Sequence, residues 1–97
     1  MTTHTDNVKL AETNPAARNA LIEHTIRARD VMASNLGPED KFDKVFRDIA
    51  YPVAQLGFVV EWNDPDAGWL EATLAYVKAL LVLANSVNTD RIFQSIH

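Results

Sequence analysis

The chain has 97 residues, 47% of them hydrophobic, a formal charge of −4 and no cysteine. This composition is too apolar for a disordered chain and excludes disulfides and thiolate metal sites. No segment is strongly basic, which argues against nucleic-acid binding through phosphate contacts, and the mild acidity is too interrupted by Lys and Arg for nucleic-acid mimicry. One domain over residues 1–97 is expected, because a single core rarely subdivides below ~150 residues.

Met1 to Asn7 is polar, without the basic and apolar regions of a secretion signal. The longest nearly uncharged run, Ala72 to Ala84, is shorter than the ~18 residues a membrane span needs. The expectation is a soluble, cytoplasmic protein. Residues 1–13 show no clear apolar period and read as a flexible arm.

Pro15, Pro38 and Pro65 follow Asn14, Gly37 and Asp64, and each precedes an apolar pattern of helical period. Proline suits the first helical position because its φ is already near the helical value and its missing N–H has no partner there. The pattern predicts an all-α fold: a three-helix up-down-up bundle with a Pro-kinked second helix and a short C-terminal helical turn. Helix one is expected from Pro15 to about Asn35, with Gly37 placed as a left-handed stop.

Helix two is expected from Pro38 to Val60. Phe42, Val45, Phe46, Ile49, Val53, Leu56 and Val60 recur in steps of three and four and lie within one arc. Pro52 interrupts neither the phase nor the stripe, so a kinked continuous helix is predicted. The β-prone run from Phe58 to Trp62 competes with that reading, but helical phase is the stronger signal. Helix three is expected from Pro65 to about Val87, with a last turn from Arg91 to Ile96.

Helix three carries more apolar surface than one packing face requires. Trp69, Leu70, Leu74, Val77, Leu80, Leu81 and Ala84 form the expected core stripe. A second ridge of Ala72, Ala75, Ala79 and Leu83 permits close backbone approach and reads as an oligomer interface. On an ideal wheel Tyr51, Phe58 and Trp62 project away from the stripe of helix two, and aligned aromatics mark a partner interface.

Candidate chemistry is sparse. Arg18 and Arg29 share an arc of helix one with the Thr25 hydroxyl between them, a set that suits a small anionic ligand such as a nucleotide. His24 reads as a core-edge residue. Lys41, Lys44 and Arg47 alternate with acids and read as a solvated face. Glu61, Asp64, Asp66 and Glu71 lack the spacing of a calcium loop, and no metal site, cofactor or catalytic residue is expected. Size, acidity and lack of cysteine resemble small phage or mobile-element accessory proteins in composition, not in any motif. The functional expectation is a non-enzymatic binding protein, a homo-oligomer presenting an apolar helix face to a protein partner as inhibitor or adaptor. Capture of a small anion, or an enzyme with a composite inter-subunit site, are the alternatives.

Overall fold

A computed structural model describes residues 3–62 and 68–87, and these are all-helical, with no strand. Among the described residues lie four helices: α1 (Thr3–Thr13), α2 (Pro15–Ala33), a composite α3 over residues 38–56, and α4 (Trp69–Val87). The expected C-terminal turn, and the start of the third predicted helix at Pro65, lie outside the described residues.

The expected flexible arm is α1. It shows little apolar periodicity because its most buried positions are Asn7 and Ala11, with Val8 and Leu10 only half-buried. Ala11 joins the core with Val8 and Leu10 packed against it, and a polar clamp adds to these contacts. The Asn7 Nδ2 donates to the Val59 carbonyl at 2.7 Å, and the Val59 N–H donates to the Asn7 Oδ1 at 3.0 Å. One side-chain amide reaches both groups of a residue only when they point the same way, as in extended backbone. Burying the amide is tolerable because both its ends are bonded.

Asn14 separates α1 from α2 and serves both. Its N–H donates to the Leu10 carbonyl at 2.9 Å, and its side chain accepts from the Ala17 N–H at 3.1 Å as the cap of α2. Pro15 then occupies the first turn, as the sequence predicts. Helix α2 stops at Ala33, where the Ser34 hydroxyl donates to the Val31 carbonyl at 2.6 Å. Gly37 is not a left-handed stop: its φ of −70° makes it the extended cap of α3. The exposed end of α2 is covered instead by the Lys41 ammonium, which donates to the Met32 carbonyl at 2.9 Å.

Helix α3 passes Pro52 without breaking. Its first part, Pro38–Val45, opens into a π-helical turn at Phe46–Ala50 and returns to α-helix at Tyr51–Leu56. Proline collides with the carbonyl four residues back, here that of Asp48, and a widened turn moves that carbonyl away. Val45, Ile49 and Val53 stay buried through the transition.

The helix ends at Leu56 and not at Val60. Gly57 adopts φ 107°, a left-handed position that favours glycine, and donates its N–H to the Ala54 carbonyl at 3.0 Å. A Cβ at Gly57 would also lie 3.1 Å from Leu10 Cδ2, so the glycine leaves room for α1 to close over the helix end. Phe58 to Trp62 is therefore non-helical, the outcome its β-branched and aromatic composition favoured.

Helix α4 packs against α1, α2 and α3. By length and composition, with a mean hydropathy of 1.4, it would suffice to cross a bilayer, yet Tyr76, Val77, Leu80, Leu83, Ala84 and Val87 are buried within the fold. Its orientation corrects the predicted stripe. Ala72 and Leu83 of the expected outer ridge face inward, with Ala75 and Ala79 half-buried, whereas Trp69, Leu70 and Leu74 of the expected core stripe are exposed. Docking of α1 explains the rotation, because a further helix on the Leu83 and Val87 side widens the buried arc in that direction.

Replacing Asn7 with Ala removes both hydrogen bonds to Val59. The expected loss is about 2 kcal/mol, which lowers Tm by roughly 10 °C in a domain this small. Asn7→Asp, nearly isosteric, is expected to be at least as damaging at pH 7 because it sets a carboxylate against the Val59 carbonyl. Thermal melts of the two variants check this; wild-type melting in both contradicts the clamp.

Candidate functional site

The predicted partner face of Tyr51, Phe58 and Trp62 does not exist as one surface. Phe58 is 2% exposed and belongs to the core, Tyr51 stands alone at 63% exposure, and Trp62 lies on a different cluster. The wheel that aligned them assumed one helix through Val60, and the stop at Gly57 removes that geometry.

Five aromatic rings instead form a continuous ledge where α3, α4 and the 58–62 segment meet. Phe42 and Phe46, one turn apart on α3, have centroids 4.6 Å apart. Trp69, at the start of α4, makes a T-shaped contact with Phe42 at 4.9 Å. Phe46 lies 5.3 Å from Trp62 and 5.0 Å from Tyr76, and Trp62 meets Tyr76 edge-on at 6.0 Å. These separations and tilts are those in which aromatic quadrupoles attract. Tyr76 is buried, Phe42 and Phe46 are half-buried, and the two tryptophans at the ends remain exposed, Trp69 at 51%. Sequence reading ties neither Trp62 to Phe46 nor Trp69 to Phe42; the phase of Phe42 and Phe46 on α3 was visible, but their partners lie on other elements.

The predicted anion set is not assembled either. The Thr25 hydroxyl is fully buried and donates to the Leu21 carbonyl at 2.7 Å, so its proton is already engaged. Arg18 and Arg29 are half-buried and stand three helical turns apart, roughly 16 Å along the axis. Arg18 donates to the Asn19 side chain at 3.3 Å. His24 Nδ1 is buried with no hydrogen-bond partner among the described residues. Burial, then the neighbouring Arg27, holds its pKa below the ordinary value, with Glu23 opposing, so it is neutral near pH 7.

Several shallow clefts lie among the described residues, and one of about 300 Å³ between α1, α2 and α4 is lined by Val8, Pro15, Arg18 and Val87 but by neither Thr25 nor Arg29. Another, of about 310 Å³, has Val31 and Ile49 beside a rim of Arg27, Asp30, Lys44 and Asp48. A third, of about 270 Å³, runs between Val59, Val60 and Glu61 on one side and Ala79 and Val82 on the other, with Asn7 and Leu83 at its wall. The predicted Ala79 and Leu83 ridge thus lines a cleft against the 58–62 segment of its own chain. Among the described residues, no three His, Asp or Glu side chains are grouped to hold a metal ion. Comparison with protein-family models, with curated proteins and with solved structures finds no match to this chain.

Burial raises the Tyr76 phenol from its ordinary 10.0 to about 12. Because the folded value lies above the unfolded one, the stability from keeping the phenol neutral is complete below pH 10 and is lost as pH rises through about 12. Tyr76→Phe removes the ionising group, so its denaturation midpoint is expected to fall less between pH 8 and pH 11.5 than that of the wild type. Equal falls in the two proteins would show that Tyr76 does not govern alkaline unfolding.

Proposed function

We propose that this protein is a non-enzymatic binding module, a helical homo-oligomer that presents the aromatic ledge to a macromolecular partner as an adaptor or inhibitor. The observation that carries this reading is the exposure of Trp62 and Trp69 at the two ends of a packed ring cluster. Large rigid aromatics remove much apolar area from water on binding while freezing few torsions, and anchors of this kind dominate interface energetics. The rings behind them are already fixed by mutual packing, so the surface is preorganised, which lowers the ordering entropy of association. Leu70 and Leu74, exposed in the first two turns of α4, extend the apolar area. The long helices α2, α3 and α4, read as running up-down-up, form the frame that carries it.

Self-association belongs to a different surface from the one read in the sequence. Ala72 and Leu83 are enclosed within the chain, whereas Val59 at 56% and Val82 at 67% exposure stand on either side of the 270 Å³ cleft. Two exposed β-branched side chains on opposite rims of a cleft walled by Val60, Ala79 and Leu83 beside Asn7 and Glu61 suit a self-complementary contact, the kind a two-fold dimer requires.

Light scattering at micromolar concentration is expected to give a dimer or larger, and Val82→Lys is expected to give a folded monomer, because the ammonium is solvated in the monomer and would have to be desolvated in the interface. A wild-type mass of 10.8 kDa contradicts the oligomeric half of the proposal. The ledge is tested separately: Trp69→Ala should melt within a few degrees of wild type while losing partner binding. A collapse in Tm instead assigns Trp69 to the core.

A further inference from the structure

The stretch of sequence that carries both tryptophans is one-sided in charge. From Asp48 to Val77 the sequence contains no Lys, Arg or His, while Asp48, Glu61, Asp64, Asp66 and Glu71 are acidic. Trp62 and Trp69 both fall within that stretch. On α3, Glu39 lies on the same arc as Phe42 and Phe46, three and seven residues before them. Glu39, Glu61 and Glu71 are exposed and have no ion-pair partner among the described residues.

The bases of α3 have partners of their own, two of them carboxylates and the third a carbonyl that leaves the Lys41 charge in place. Arg47 pairs with Asp43, Lys44 lies 3.8 Å from Asp48, and the Lys41 ammonium donates to the Met32 carbonyl. Two exposed indoles beside unpaired carboxylates are complementary to guanidinium groups, which stack on aromatic rings and bind carboxylates in a bidentate fork. A second copy of this chain is a poor occupant, since it would bring the same carboxylates against these.

We infer that the ledge docks a basic, arginine-bearing segment of another protein, its guanidinium groups stacked on Trp62 and Trp69 and paired with Glu39 and Glu61. The inference rests on the reading of the ledge as a binding surface and adds the chemistry of the partner. Its side chains place the apolar part of such a segment over Phe42 and Leu70 and its cations at the acidic margin.

The two tryptophans are the only ones in the chain, so their fluorescence reports on the ledge directly. The probe is an amphipathic peptide of roughly 15 residues, about the shortest that is marginally helical in water. Arginines line one edge of its leucine face, and a second peptide carries glutamate in their place. The arginine peptide is expected to shift or quench tryptophan emission saturably. Its affinity should fall at least about fivefold between 0.05 and 0.5 M salt, and about fivefold again in Glu39→Gln/Glu61→Gln. The glutamate peptide should bind at least about tenfold more weakly. Equal binding of the two peptides, or indifference to the double substitution, overturns the basic partner but leaves the ledge as a binding surface. No response to either peptide overturns both readings.

Discussion

The structure depends on one polar contact of long sequence range, the amide of Asn7 closing on both backbone groups of Val59 across a separation of 52 residues. Buried hydrogen bonds contribute modestly when made and cost more when one side is left without a partner, so such a contact is closer to a requirement than to a bonus. It sets two elements at once. Helix α1, with only Val8, Leu10 and Ala11 to bury, is held against the core, and the chain after α3 is held out of helix. Gly57 makes the two compatible, since its left-handed turn redirects the chain and its missing Cβ admits Leu10.

From that contact the functional surface follows. With the chain turned at Gly57 and tied at Val59, Phe58 enters the core and Trp62 reaches Phe46 and Tyr76. Had the helix continued to Val60, Phe58 and Trp62 would have shared a helical face, a continuous outward stripe remote from Tyr76. The ledge is thus a product of the helix stop, and its rigidity comes from rings packed on rings. Exposure of its two ends has no counterpart in the demands of the monomer core, in which Leu21, Ile49 and Leu80 are already fully enclosed. The same stop brings Val59 to the rim of the cleft opposite Val82, so both proposed contact surfaces descend from it.

Much of the helical frame was legible in the sequence because it depends on local chemistry. Asn14-Pro15 and Gly37-Pro38 start helices where capping and proline geometry require, and the phase of Val45, Ile49 and Val53 carries α3 past Pro52. The π-turn that makes this possible has no composition signature, since it answers a clash between Pro52 and the turn before it. Helix α1 was hidden because its buried face centres on an asparagine, whose burial depends on a partner half the chain away. The misplaced face of α4 follows from that omission: a periodicity shows that a helix has an apolar arc, but where a helix is apolar nearly all round, the number of neighbours decides which part is covered. The candidate site was legible only in pieces. Trp62 was singled out for the wrong neighbours, and the Arg18, Thr25 and Arg29 set failed because a buried threonine on a helix satisfies its hydroxyl on the preceding turn.

The most direct test of this account is amide hydrogen exchange at Val59. An amide in an irregular, solvent-facing segment exchanges quickly unless something specific protects it, and the opening free energy reports which unit must come apart. If Asn7 holds α1 and the 58–62 segment into one cooperative fold, the Val59 amide exchanges as slowly as the core amides of α2 and α4, such as those of Thr25 and Leu80. Fast exchange at Val59 while those core amides stay protected would mean that α1 comes away on its own, and that the contact is an ornament of the fold and not its constraint.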